Sequence, residues 1–377
     1  MDTRVPITPE VLRWAVQRTG HTVEELSRQS DFKKLPLWIE GAGKPTLRQA
    51  EKLAEKAHVP FPFLLLDHPF EARIALPDFR TIGSTGVSHP SPELEQVIDD
   101  CQARLDWYKE YAEDAGLDHI ELLEKYTTTD NPEEAAHTLR SVIGWEPGRY
   151  SYGDRAIAEL TAIIEEQGVL VMRSSMVQNN TYRPLDLQEF RGFTLIQDGY
   201  ALIFINTRDT KSGQIFSLAH ELGHVVLGEP GVSGETMDGA PTIERWCNRF
   251  AAEFLIPAKY LQQEWDDSGS EVVKRLSHKL GVSPEAVVWR GVDLGLIPRN
   301  EAEAIIKESS YNGTEKPTRT GGNGINNMRP RLGTRFIRAT ANAMGSDLLQ
   351  ITDALHLLGL KNYNTARKLM DSVSEAA

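Results

Sequence analysis

The chain has 377 residues and a formal net charge of −13, and this length predicts two or three domains rather than one ordinary core. Hydrophobic residues make up 40% and charged residues 25%, which excludes an intrinsically disordered chain. The longest apolar runs are far too short to cross a bilayer, and the first ten residues lack the apolar region of a signal peptide. Two cysteines exclude a disulfide scaffold, so we expect a cytoplasmic protein. Because the chain is acidic overall, any contact with nucleic acid must be local.

The first 67 residues differ from the remainder in charge and in helix signals. They contain ten Lys or Arg and nine Asp or Glu, so the negative charge of the chain lies almost entirely in the later residues. Thr8, Thr22 and Thr46 each precede a run of helical periodicity and are predicted N-caps. Glu25 completes a capping box with Thr22. We therefore predict a module of short helices over residues 1–67.

The later residues predict an α+β fold, in which a small sheet packs on helices. We expect a linker and helical region over residues 68–150, a core over 151–308, a flexible Gly- and Asn-rich connection over 309–333 and a helical module over 334–377. Strand patterns in the core cover Val169–Arg173, Phe190–Ile196 and Tyr200–Ile205.

The strongest chemical signal is the run from His220 to His224, which reads His-Glu-Leu-Gly-His. Two histidines four residues apart on a helix share one face, so both imidazoles can bind one zinc ion. Glu221 is rotated by about 100° from His220, where it can act as a general base on a water in an open position. The alternative is a pair of core or surface histidines at helical spacing.

A catalytic zinc ion needs a third protein ligand, and the segment after residue 243 offers two glutamates. Glu244 and Glu253 are nine residues apart, so they lie on opposite faces of a helix and only one can reach the metal. Asn248 shares the face of Glu244 and is a candidate partner for a ligand histidine. Glu253 is placed to pair with Arg249 at i, i+4. We assign Glu244 as the ligand and expect Cys247 to be a small buried residue rather than a redox switch.

These motifs resemble a known family of zinc peptidases. His220-Glu221-x-x-His224, followed by Glu244-x-x-x-Asn248-x-Phe250-Ala251-Ala252-Glu253-x-Leu255-x-Pro257, resembles the ImmA/IrrE metallopeptidases, which are bacterial and phage zincins of thermolysin-like layout. The segments Tyr182–Leu185, Phe190–Phe193, Ile203–Asn206 and Gln214–Phe216 are also similar. The opening helices with Pro77-Asp78-Phe79-Arg80 resemble the subgroup that carries an Xre-type helix-turn-helix. The resemblance covers roughly residues 5–300.

The resemblance implies a zinc-dependent, gluzincin-like endopeptidase with His220, His224 and Glu244 as ligands and Glu221 as the base. Relatives cleave a helix-turn-helix transcriptional repressor at one site after DNA damage or another signal, which releases its operon. The run Tyr200–Ile205 is the candidate edge strand for an extended substrate. Tyr182 and Arg191 are candidate helpers at the substrate or the oxyanion, and the alternative is a core aromatic and a buried salt bridge.

The N-terminal module carries a weak signal for DNA binding. In a helix-turn-helix the third helix reads base edges, and here the matching stretch contains Pro36, which is expected to break or shorten that helix. Lys33, Lys34, Lys44 and Arg48 are candidate phosphate contacts. Near-zero local charge disfavours strong binding, so the rival interpretation is a docking module for the repressor or another partner.

Two further hypotheses stand beside the peptidase. One is a DNA-binding regulator or antitoxin-like protein with an inactive or metal-sensing peptidase domain. The other is a structural zinc ion without turnover, which a fourth protein ligand would indicate. The C-terminal helices are expected to recognise substrate, cover the site or mediate oligomerisation.

Overall fold

The computed structural model describes residues 3–70, 90–149, 154–233, 242–266, 268–311 and 324–374. The chain divides into two compact units, one of residues 1–75 and 89–96 and the other of residues 76–88 and 97–377. The Pro77-Asp78-Phe79-Arg80 motif and most of the predicted linker lie outside the described residues.

The first unit consists of short helices. They are α1 (Pro9–Arg18), α2 (Val23–Ser27), α3 (Leu35–Ile39), α4 (Leu47–Ala57) and a 3-10 helix (Phe61–Leu65). The predicted N-caps are confirmed, because the side chains of Thr8, Thr22 and Thr46 each accept a backbone N–H in the first turn. Trp38 and fourteen smaller apolar residues form the buried core of this unit.

The second unit contains most of the remaining secondary structure. Its helices are α5 (Pro92–Asp114, which begins in the first unit), α6 (Pro132–Ile143), α7 (Asp154–Glu166), α8 (Lys211–Leu227), α9 (Thr242–Leu255), α10 (Ala258–Glu264), α11 (Ser270–Leu280), α12 (Pro284–Asp293), α13 (Arg299–Tyr311), α14 (Gly324–Leu332), α15 (Thr334–Gly345), α16 (Ile351–Leu357) and α17 (Tyr363–Ser374). Its strands are β1 (Leu170–Ser174), β2 (Gly192–Gln197), β3 (Tyr200–Asn206) and β4 (Gly231–Ser233). No helix of the described residues is long and apolar enough to cross a membrane.

The four strands form one mixed sheet in the order β1-β3-β2-β4. β1 is parallel to β3, whereas β2 is antiparallel to both β3 and β4. The prediction that Tyr200–Ile205 is an edge strand is therefore wrong, since β3 pairs with β1 on one side and with β2 on the other. All seven residues of β3 are buried, and such a continuous apolar run is typical of a strand covered on both faces. Among the described residues, β4 is the edge strand next to β2.

Helix α8 packs against β2 and β3, and α9 packs against α8. Ile215, Leu218, Leu222 and Val225, predicted to lie opposite the histidines, are at most 1% exposed. Burial of each such side chain stabilises the fold by about 1.5–3 kcal/mol. This packing fixes the rotation of α8 and therefore the direction of its polar face.

The C-terminal helices pack onto this unit rather than standing apart from it. Helix α14 contacts β1, and α15 contacts α7 and β1. Residues 324–332 were predicted to belong to a flexible connection, but they form α14. The Gly- and Asn-rich composition indicated a connection, because the apolar residues lie only at the end of this segment. Leu332 there is 5% exposed.

Candidate metal centre

Helix α8 carries the two histidines into the interior. It begins after Thr210, whose side chain accepts the N–H of Gly213 at 3.1 Å, and ends before Gly228 in a left-handed conformation. His220 and His224 are 4% and 1% exposed, and their ring centroids are 5.1 Å apart. One helical turn therefore places both imidazoles on the same side of α8.

The Nδ1 atom of each ring has a hydrogen-bond partner. His220 Nδ1 lies 2.9 Å from Asn248 Oδ1, and His224 Nδ1 lies 3.0 Å from the carbonyl oxygen of Glu229. Both oxygens are acceptors, so Nδ1 carries the hydrogen and Nε2 of a neutral ring keeps a lone pair. Both Nε2 atoms are buried and have no hydrogen-bond partner. This is the arrangement in which histidine binds a metal ion through Nε2.

Glu244 on α9 faces both Nε2 atoms. Its Oε2 lies 3.2 Å from His220 Nε2, and its Oε1 lies 3.3 Å from His224 Nε2. Burial acts to raise the pKa of Glu244, but the two histidines outweigh it and lower that pKa well below its usual range. A carboxylate opposite two lone pairs requires a cation between them, either a proton or a metal ion. Tetrahedral zinc, with bonds of about 2.0–2.2 Å, separates its donors by about 3.3–3.5 Å, so the observed distances fit one ion.

Cys247 is a second potential donor on α9. The donor atoms of His220, His224 and Cys247 lie within 4.8 Å of one another. Burial raises the pKa of the Cys247 thiol, against His224, which lowers it. Because a metal binds the thiolate rather than the thiol, the carboxylate of Glu244 is the more readily available ligand.

Glu221 is fully buried between α8 and the sheet. Ser233 Oγ donates a hydrogen bond to its Oε1, and Thr194 Oγ1 donates one to its Oε2 at 2.7 Å. Burial raises the pKa of Glu221, while His224, His220 and the two hydroxyls lower it. The carboxylate is therefore oriented by groups from the sheet as well as by its own helix.

The second glutamate of α9, Glu253, is held by arginines. Glu253 is buried with both oxygens facing arginines, Arg290 and Arg140, and it also accepts the N–H of Ala258 at 3.0 Å. The predicted pairing of Glu253 with Arg249 is wrong, because Arg249 instead donates to Glu133 at 2.9 Å. The arginines that hold Glu253 come from α6 and α12, which the local sequence of α9 does not reveal.

Only one of the two predicted helper residues lies beside the centre. Arg191 lines an open cleft together with His220 and Ser233, and its Nη1 donates to Asp209 Oδ2 at 2.6 Å. Tyr182 is 93% exposed and is not part of the wall of this cleft, so its alternative interpretation as a core aromatic is wrong.

The predicted phosphate contacts all lie in the first unit. Lys33, Lys34, Lys44 and Arg48 are exposed, and α3 is only five residues long with Pro36 in its first turn. The shortened helix matches the expected effect of proline. DNA binding stays a prediction.

Sequence reasoning missed Thr194, Ser233 and the carbonyl group of Glu229. Thr194 lies in a predicted strand, but no pattern distinguishes a hydroxyl that faces Glu221 from an ordinary β-branched strand residue. Ser233 belongs to a three-residue strand that is too short for alternation to be detected. The Glu229 contact involves the backbone, which carries no residue-specific signal.

Residues 164–290 match the family model described as the IrrE N-terminal-like domain, Peptidase_M78. The match covers about a third of the chain and includes α8, α9 and all four strands. It supports a metallopeptidase domain in this part of the chain. The comparison with curated proteins found no match.

Proposed function

We propose that the protein is a zinc-dependent endopeptidase in which His220, His224 and Glu244 hold one zinc ion. The observation that carries this proposal is the pair of buried, unpartnered Nε2 atoms facing the Glu244 carboxylate at 3.2 and 3.3 Å. Three donors of this kind leave one position of a tetrahedral ion for water or substrate. The Peptidase_M78 match to residues 164–290 supports the same chemistry.

The side chains around the centre have separate roles in this proposal. Bound zinc supplies a Lewis acid and makes water a nucleophile near neutral pH. Glu221 accepts a proton from the attacking water and returns it to the leaving amine. Asn248 and the Glu229 carbonyl hold the two imidazoles in the tautomer and orientation that ligation requires. Arg191, held by Asp209, is the candidate for binding a substrate carbonyl oxygen.

We propose that the substrate lies extended beside β4. This strand pairs with β2 on one side, and among the described residues no strand pairs with its other side. An extended peptide can add to such an edge through main-chain hydrogen bonds. Ser233 of β4 contacts Glu221, and Gly231 lies against the His224 ring, so a peptide at this edge would pass close to the centre.

We further propose that the substrate is a regulatory protein, namely a helix-turn-helix repressor. This part rests on the resemblance of residues 5–300 to peptidases that cut such repressors. The natural test combines the zinc-loaded protein with the repressor encoded beside its own gene. A discrete pair of fragments that disappears with chelator supports the substrate, and an uncut repressor contradicts it.

The catalytic assignment is tested by Glu221→Gln. We expect cleavage of a proteome-derived peptide mixture to fall by about 10²- to 10⁴-fold, because the general base is lost. Zinc content should be unchanged, since Glu221 is not a ligand. Cleavage is followed by mass spectrometry, and zinc is measured by atomic emission.

Glu166→Gln is the matched control, because Glu166 is an exposed glutamate at the end of α7 and has no role in the candidate centre. This variant should cleave as the wild-type protein does. Retained cleavage in Glu221→Gln would show that another group is the base. A zinc-loaded wild-type protein that cuts no peptide would instead indicate a structural ion.

A further inference from the structure

Two hydroxyl groups from neighbouring strands hold the carboxylate of Glu221. Thr194 lies on β2 opposite Gly231 of β4, and Ser233 lies opposite Gly192. Thr194 is fully buried and Ser233 is 6% exposed. Ser233 donates to Oε1, and Thr194 lies 2.7 Å from Oε2 and 3.2 Å from the backbone carbonyl oxygen of Glu221. The shorter contact of Thr194 is with Oε2, so each carboxylate oxygen has a hydroxyl donor.

The sheet also leaves space for this carboxylate. A Cβ atom on Gly192 would lie 2.8 Å from Glu221 Oε1 and 3.0 Å from the carbonyl oxygen of Phe204. Such distances are shorter than van der Waals contact, so any larger residue at position 192 would displace the side chain or the strand. The backbone of β2 therefore fits Glu221 in its observed orientation.

We propose that Thr194 and Ser233 are positioning residues that hold Glu221 in the orientation needed for proton transfer. This inference rests on the proposed peptidase function. A carboxylate has about four acceptor positions, and the two hydroxyls use one on each oxygen. The remaining positions can accept the proton of a water. A general base must lie within hydrogen-bond reach of that proton, and small displacements are costly.

The contrast with Glu253 supports a specific role for hydroxyl partners. Both glutamates are buried, but Glu253 is neutralised by Arg140 and Arg290. Such ion pairs suit a structural carboxylate whose charge must be compensated. Thr194 and Ser233 fix the direction of Glu221 without placing a cation against it. Their neutral hydrogen bonds leave the carboxylate available for chemistry.

The position of Ser233 links this arrangement to the substrate. Ser233 ends β4, the strand beside which we propose that the peptide lies, and its carbonyl oxygen accepts the N–H of Arg191 at 2.8 Å. A peptide that pairs with β4 would hold the strand that carries one of the two hydroxyls. Substrate binding and orientation of the base would then depend on the same short strand.

The test compares variants that differ in one hydroxyl. Thr194→Val removes the hydroxyl and keeps the shape, Thr194→Ser keeps the hydroxyl, and Ser233→Ala removes the second donor. Thr340→Val is the control, because Thr340 is a fully buried threonine on α15 whose hydroxyl donates to the Phe336 carbonyl. Zinc content, kcat and KM are measured with a peptide that the wild-type protein cleaves.

We expect Thr194→Val and Ser233→Ala each to lower kcat by about 10- to 100-fold, because the base is misplaced. KM should stay within about threefold and zinc content should not change, since the loss concerns the chemical step. Thr194→Ser should recover most of kcat. Values of kcat in Thr194→Val and Ser233→Ala that match Thr340→Val would overturn the inference, as would a loss explained entirely by lower zinc content.

A wild-type protein that binds zinc but cleaves no peptide would contradict the proposed function separately. Crystal structures of the zinc-loaded wild-type protein and the Thr194→Val/Ser233→Ala double variant then decide the positioning role. A carboxylate of Glu221 that turns away only in the double variant supports it. An unchanged orientation in both proteins rejects it.

Discussion

Glu244 is the residue on which the charge balance of the candidate centre depends. Its carboxylate, whose side chain is 15% exposed, faces both Nε2 atoms, so a cation between them balances its negative charge. Cys247, three residues later on α9, offers the competing donor. Which of them binds the ion determines whether the site is built from nitrogen and oxygen or includes sulfur.

Substitution separates the two candidate ligands. We expect Glu244→Ala to weaken zinc binding by at least about 100-fold. This is more than the loss of affinity usually seen when a residue that only orients a ligand is removed. Cys247→Ser should change the affinity by less than about threefold, because its thiol is not needed to complete the ligand set. Competition with a chromophoric chelator measures both affinities. The reverse order of effects would assign the metal to Cys247.

For single residues, local periodicity predicted which side chains come together and one outer partner, Asn248, which contacts His220; the other outer partners were not predicted. The spacing of His220 and His224 and the face of Glu244 follow from helix geometry alone. Glu253 could not be assigned its arginines, because Arg140 and Arg290 are more than thirty residues away in sequence and meet it only after α6, α9 and α12 have packed.

Among the strands and helices, β4 is only three residues long but makes three separate contributions to the candidate centre and its surroundings. Its three residues supply a hydroxyl to Glu221, a close contact to His224 and the edge beside β2. Strands β1 to β3 were predicted within two residues of their observed ends, because their apolar runs are long enough to show a pattern. The order of the strands was not predictable from these runs, so β3 was wrongly placed at the edge.

Gly231→Ala tests the contact between β4 and the histidine. A Cβ at this position would lie 2.7 Å from Cε1 of His224, so the ring must turn or β4 must shift. We expect zinc affinity to fall by about 10- to 100-fold, as for other changes that disturb ligand orientation. The same chelator competition gives the affinity.

The control for this prediction is Gly345→Ala. Gly345 ends α15, and a Cβ there meets no atom within 4 Å. That variant should bind zinc as the wild-type protein does. Equal affinities for both variants would show that His224 tolerates the displacement.

For the whole molecule, the notable feature is that the C-terminal helices belong to the same unit as the sheet. Arg335 of α15 donates its backbone N–H to Glu165 Oε1 at 3.0 Å and its Nη1 to the Glu165 carbonyl oxygen at 2.9 Å. Its Nε donates to the Tyr108 hydroxyl at 2.6 Å. Composition predicted the C-terminal helices but not this attachment, which depends on contacts across 170 residues of sequence.

Glu165 makes this attachment sensitive to pH. Burial raises the pKa of Glu165 to about 7 from an ordinary 4.5, although Arg335 acts to lower it. The folded protein therefore binds a proton more tightly than the unfolded chain, so this contribution to stability is complete below pH 4.5 and is lost as pH rises through about 7. The shift corresponds to about 3 kcal/mol.

We expect Glu165→Gln to remove this part of the pH dependence, because the amide is neutral at every pH and can still accept the N–H of Arg335. Urea unfolding of wild type and variant between pH 5 and pH 8 measures the difference. Glu166→Gln, at an exposed neighbour, should retain the wild-type slope. A variant with the same slope as wild type would mean that Glu165 does not titrate in this range.

Helix α9 contributes both Glu244, which faces the two imidazoles, and Asn248, which holds the ring of His220. The two residues are four positions apart, so a single inserted or deleted residue between them would turn one of them by about 100° relative to the other. A change of length in that one turn would therefore leave only one of the two residues at the centre, because the register that keeps one in place turns the other away. In evolution, the spacing of four residues between these two positions should therefore be fixed.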